Sequence, residues 1–167
     1  KAAANIERTL RGVQDAEVVC WLPASCTITV VERQPRIMWQ DGAAVWWIDA
    51  DGTILPAQGL LPESWMVRGP LPRDEDSQLD ERARLALAEL SSLGLDLSDP
   101  LIYEPGRGFA FTDERGWRVV VGDGPGVASR LRVLEAVASD LEARQVTPRF
   151  VDVRFPEAPY YSLVIDW

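Results

Sequence analysis

The sequence predicts an α+β protein built as two small domains. Three observations lead there: apolar residues at helical spacing and at strand spacing occupy separate blocks, Asp-Gly pairs punctuate the strand-like runs, and a Pro-rich stretch near the middle shows neither period. The 167 residues suit one ordinary domain or two small ones, and 47% hydrophobic with 26% charged residues is the composition of a chain that buries a core.

The elements follow in order. Residues 2–11 read as a short helix, with Ile6 and Leu10 on one face, Val13 just beyond and Gly12 as the stop. Ala16, Val18 and Cys20 alternate with Glu17, Val19 and Trp21, and residues 26–33 repeat the period of two, with Pro23, Ala24 and Ser25 forming a turn between the runs. Residues 37–40, 43–49 and 53–55 are strand-like and are separated by Asp41-Gly42 and Asp51-Gly52, a strong short-range hairpin signal. The first half is therefore expected to be one antiparallel meander behind a helix. Four prolines and two glycines between Pro56 and Pro72 place a domain boundary at residues 56–70.

The second half opens with a helix expected over residues 75–93, with Leu79, Ala83, Ala86, Leu90 and Leu93 as its apolar stripe and Gly94 as its C-terminal cap. Strands are expected at 101–104, 108–113 and 117–121. A helix over 127–144 follows, with Leu131, Leu134, Val137, Ala138 and Leu141 facing inward. Strands at 149–155 and 160–165 close the chain, separated by Pro156 and Pro159.

Composition excludes several kinds of chemistry. With no histidine there is no Ser-His or Cys-His nucleophile pair and no His-ligated zinc. A net charge of −9 disfavours nucleic acid and offers no polybasic surface for a membrane. No apolar run reaches the roughly 18–20 residues that span a bilayer. The balance points to binding or scaffolding, with no cofactor.

Several motifs have both a chemical and a plain structural reading. The run from Val45 to Thr53 ends in Asp49-Ala50-Asp51-Gly52-Thr53 and resembles the nucleophile motif of haloacid-dehalogenase-type phosphatases, with Val121-Gly122-Asp123-Gly124 as an echo of their Mg²⁺ motif. That family also needs a lysine for the phosphoryl oxygens, and the single lysine here is Lys1. The same residues read more simply as a hairpin turn. Gly122-Asp123-Gly124-Pro125-Gly126 before a helix is either an anion nest or a strand-to-helix turn. Cys20 and Cys26, at adjoining strand ends, are either a disulfide, implying an oxidising compartment, or two reduced thiols. Of seven tryptophans, Trp39, Trp46 and Trp47 cluster. Strand alternation turns at least one of Trp46 and Trp47 outward, for a partner contact or for inter-domain packing.

Read as an ordered pattern, Val18, Pro23, Ile28, Val30, Glu32-Arg33, Pro35, Trp39 and Asp49-x-x-Gly52 resemble the POTRA module of the FtsQ/DivIB family of bacterial division proteins. Val67-Arg68-Gly69-Pro70, Trp117 to Gly122, and Phe150-Val151-Asp152-Val153-Arg154-Phe155 are similar to successive segments of that family's β domain. Cys20 stands where the family commonly has arginine and Cys26 where it has an apolar residue, a paired change that fits a disulfide.

The resemblance implies a truncated POTRA-like domain over residues 1–56, lacking the module's first strand and helix, followed by a β domain over 57–167 with a mainly antiparallel sheet and two helices. It implies an extracytoplasmic divisome scaffold without catalytic activity. Such a protein is anchored in the cell membrane by an N-terminal helix outside this sequence, binds FtsB-like and FtsL-like proteins, and helps regulate septal peptidoglycan synthesis. Partner binding is expected at Arg154, Phe155, Glu157, Tyr160, Tyr161, Ser162 and Leu163, where a partner strand would add to the sheet edge. Trp39, Trp46 and Trp47 are a possible second surface. Pro156, Pro159 and Glu157 also fit simple edge protection. Competing readings are another POTRA-bearing envelope protein, such as the periplasmic arm of an outer-membrane transporter, and the phosphatase at Asp49 and Asp51.

Overall fold

The computed structural model describes residues 2–21, 23–59, 61, 65–95 and 99–164. Its first element is helix α1 (Ala2–Thr9), followed by strands β1 (Val13–Trp21) and β2 (Ser25–Glu32). These two strands pair antiparallel as a separate two-stranded ribbon, with Ala16 opposite Val30, Val18 opposite Ile28 and Cys20 opposite Cys26 on one face. Helix α1 packs on β1, where the Ala16 N–H donates to the Glu7 carboxylate at 3.1 Å and Val13 and Ala16 are buried. Every position of β2 is exposed.

Strands β3 (Pro35–Asp41), β4 (Ala44–Asp49) and β5 (Ile54–Pro56) form the expected antiparallel meander, but they do not continue the ribbon. Arg33-Gln34 separates the two pairings, and Pro35, which opens β3, has no N–H with which to extend a ladder. The joint is braced instead by the Arg33 N–H donating to the Gly12 carbonyl and by the Arg33 guanidinium, 2.7 Å from Asp49.

The meander belongs to a nine-stranded sheet. With β6 (Trp65–Arg68), β7 (Leu101–Glu104), β8 (Gly108–Thr112), β9 (Arg118–Gly122), β10 (Phe150–Asp152) and β11 (Tyr160–Ser162), the strand order is β11-β10-β9-β8-β7-β6-β3-β4-β5. Five neighbour pairs are antiparallel, while β3/β6, β6/β7 and β9/β10 run parallel. The sheet crosses the Pro-rich stretch without a break, because β6 pairs with β3. The core crosses it as well: Trp39, Ile48 and Ile54 share one cluster with Leu101, Phe109, Val119 and Val151.

Helices α2 (Glu81–Ser92) and α3 (Val127–Ala143) cover that core with Ala83, Ala86, Leu87 and Leu90, and with Val127, Leu134, Ala138 and Leu141. Helix α2 starts six residues later than its pattern suggests. The Asp74 carboxylate accepts from the Asp76 and Gln78 N–H groups and holds a turn there, Ser77 adopts a positive φ, and Asp80 caps the helix by accepting from Arg82 and Ala83. Leu79 is buried all the same, through an isolated bridge with Arg73 rather than on a helix face. Among the described residues no helix is long and apolar enough to cross a membrane.

Candidate partner-binding edge

Strand β10 lies beside β9, buried through Phe150, Val151 and Val153. The chain then reverses through residues 153–159, and the Ala158 N–H donates to the Phe155 carbonyl at 2.9 Å. Returning, β11 pairs Tyr160 with Asp152, Tyr161 with Val151 and Ser162 with Phe150. It ends the sheet, so one of its backbone rows has no strand beside it among the described residues. Pro156, Pro159 and Glu157 lie in the reversal and not in β11, whose three residues all carry N–H groups. They leave the outer row open.

The expected site residues divide into two groups. Phe155, Tyr160 and Leu163 are 64%, 54% and 61% exposed, and Glu157 is exposed beside them. Arg154, Tyr161 and Ser162 are half-buried. The Arg154 Nε and Nη2 donate to the Asp152 carboxylate at 3.0 and 2.7 Å, an ion pair within the hairpin. Asp152 accordingly raises the Arg154 pKa. Tyr161, on the face opposite Tyr160, packs against the core. Val164, 66% exposed, extends the apolar edge and was missed; the run Leu163-Val164-Ile165 is the signal that marks it. Ile165, the last residue of the expected strand, lies outside the described residues.

The tryptophan cluster does not form a surface. Trp39 is fully buried: its indole N–H donates to the Gly69 carbonyl at 2.8 Å and its ring meets Tyr103 and Phe109 edge-on. Its grouping with Trp46 and Trp47 in the sequence suggests a shared surface, whereas Trp39 lies in the core beneath the helix layer. Trp46 is half-buried against the same core, with the Arg73 guanidinium 4.5 Å from its ring centroid. Trp47, half-buried on the opposite face, donates to the Gly59 carbonyl at 3.3 Å.

The remaining motifs resolve into structural roles. Cys20 and Cys26 are joined by a disulfide across the free end of the ribbon, with Cα atoms 4.1 Å apart. The Asp49 carboxylate accepts from the Asp51 and Thr53 N–H groups at 3.0 and 2.8 Å and from Arg33 at 2.7 Å, bracing the turn between two antiparallel strands. The nest before α3 is filled from within the chain. The Glu89 carboxylate accepts from the Gly126 and Ala128 N–H groups at 2.8 and 3.1 Å, Arg82 holds Asp123 at 2.8 Å, and Arg130 donates to the carbonyls of Asp123, Gly124 and Pro125.

These bonds, first that from Gly126, hold the Glu89 carboxyl below its ordinary pKa. A depressed carboxylate stabilises the fold above its unfolded pKa of roughly 4.3, and that stability is lost as pH falls through the lower folded value. Glu89→Gln is therefore expected to cost about 1 kcal/mol at pH 7, as a lost cap does. The gap from the parent chain should close as urea unfolding is repeated toward pH 3.

No family model matches the chain. The chain is similar to the cell division protein FtsQ of Chloroflexus aggregans, at 29% identity over 160 residues covering 90% of this chain and 56% of that protein. It thus spans about half the length of the curated relative it matches.

Proposed function

We propose that this chain is the extracytoplasmic part of an FtsQ-type division protein, and that it works as a scaffold, without catalysis, by pairing a partner strand with the outer edge of β11. The single observation carrying this reading is the open backbone row of β11 with Phe155, Tyr160, Leu163 and Val164 exposed beside it. Main-chain bonds to such an edge supply affinity and the flanking side chains supply specificity. The similarity to an FtsQ protein supports division proteins as the partners, with FtsB-like and FtsL-like coiled-coil proteins first among them and septal peptidoglycan synthesis as the process served.

In this reading the ribbon and α1 are the later part of a POTRA module. Helix α1 contacts β1, and Ile28 and Val30 on the ribbon's apolar face are 56% and 45% exposed, as expected where the module's first strand and helix would pack. A membrane anchor would lie N-terminal to them, in the part of the protein that the relative's greater length leaves room for.

The test is capture of the organism's FtsB-like and FtsL-like proteins by this chain. Because Phe155 is exposed, Phe155→Ala is expected to weaken capture at least tenfold, about 1.4 kcal/mol, while leaving the melting temperature within a degree or two of the parent. Undiminished capture by Phe155→Ala would move the site away from this edge.

A further inference from the structure

A second surface lies on the opposite half of the sheet, where α2 passes over the beginnings of β3 and β6. Arg84, Leu87, Ala88 and Ser91 of α2 line one wall of a groove of about 470 Å³, and Arg36 and Ile37 of β3 with Trp65 of β6 face them. The spacing 84, 87, 88, 91 is one stripe of a helix, about 10 Å long at 1.5 Å per residue. The floor is apolar, with Leu87 buried and Ile37 and Trp65 half-buried.

Charge narrows what the groove accepts. Among the described residues its one acidic wall residue, Asp49, is already answered by Arg33 at 2.7 Å and by two backbone N–H groups. The guanidinium groups of Arg36 and Arg84, by contrast, carry no hydrogen bond or ion pair among the described residues. They stand free on a chain of net charge −9, in which Arg33, Arg82, Arg115, Arg144 and Arg154 each lie against a carboxylate. The groove is thus a positive rim around an apolar floor on an acidic protein. A nucleic acid or an anionic membrane would meet the repulsion of the whole molecule, whereas a short acidic segment meets the two arginines.

We propose that this groove docks an acidic amphipathic helix of a partner protein, laid along α2, with its apolar stripe on Leu87, Ala88 and Trp65 and its carboxylates on Arg36 and Arg84. A helix set in a groove reads its anchors at i, i+3, i+4 and i+7, the spacing that α2 itself presents. This docking is independent of the β11 edge.

The test uses a display library of random 16-residue peptides selected on the folded chain. Enriched peptides are expected to carry Asp or Glu among Leu, Ile or Phe at helical spacing. Their binding should fall at least tenfold on the double variant Arg36→Glu/Arg84→Glu and on Ala88→Arg, which fills the groove from an exposed position, and should be unchanged by Phe155→Ala. Melting temperatures of the variants show that the fold is retained. No enrichment, enrichment of neutral or basic peptides, or peptides that bind Ala88→Arg as tightly as the parent would overturn the proposal.

Discussion

Replacing Trp39 with alanine is expected to lower the unfolding free energy by about 3–5 kcal/mol, the range for deleting a large buried aromatic side chain. The ring is fully buried and touches Tyr103 and Phe109 edge-on, so its loss leaves a void between β3 and the strands beyond β6. It also strands the Gly69 carbonyl, which accepts the indole N–H at 2.8 Å. Trp39→Phe separates the two contributions: it keeps most of the packing and loses the hydrogen bond, at a cost of about 1–3 kcal/mol for the orphaned carbonyl and the missing ring. Urea unfolding at neutral pH measures both. If Trp39 lay on a surface instead, both substitutions would fall within about 0.5 kcal/mol of the parent.

Gly108→Ala is expected to cost about 2–5 kcal/mol. Gly108 opens β8 with φ +78°, in the left-handed region where a Cβ adds about 1–2 kcal/mol, and that Cβ would fall on the backbone of Gly122 and Asp123. Neither of those neighbours is the yielding end of a side chain, so β8 and β9 must shift apart and the overpacking adds about 1–3 kcal/mol. Gly42 is the control. Its φ of +58° is similarly left-handed, but a Cβ there would meet nothing within 4 Å. Gly42→Ala should therefore show the backbone contribution alone, about 1–2 kcal/mol. Equal losses at the two positions would show that the contact at Gly108 is relieved without cost.

Local signals carried much of this architecture, and non-local ones did not. Asp41-Gly42 marks the β3–β4 turn, and the stripe ending at Leu141 marks α3, because each is a repeat within a few neighbouring residues. The start of α2 was misjudged because Asp74 and Asp80, two residues of the same capping type, stand six positions apart, and only the folded chain shows that Asp80 caps the helix. The parallel pairings of β6 with β3 and β7 join segments separated by long crossovers, and no short-range feature of either strand announces them. For that reason the Pro-rich stretch reads as a boundary in the sequence, although the sheet and core run across it. Trp39 was misplaced for a related cause: its burial depends on Tyr103 and Phe109, far along the chain. At the candidate edge the sequence pointed to residues 154–163 as a group. The division into exposed Phe155, Tyr160 and Leu163 and internally engaged Arg154 and Tyr161 follows from the Asp152 ion pair and the pleat of β11.

Hydrogen–deuterium exchange on this chain, alone and saturated with FtsB-like and FtsL-like proteins, tests the edge-pairing account most directly. Backbone amides of an unpaired edge row exchange readily, and pairing with a partner strand slows them. The account predicts new protection at residues 160–163, with little change in the ribbon formed by β1 and β2. Saturating binding that leaves residues 160–163 exchanging as in the free chain, with protection appearing in the ribbon or along α2, would contradict it.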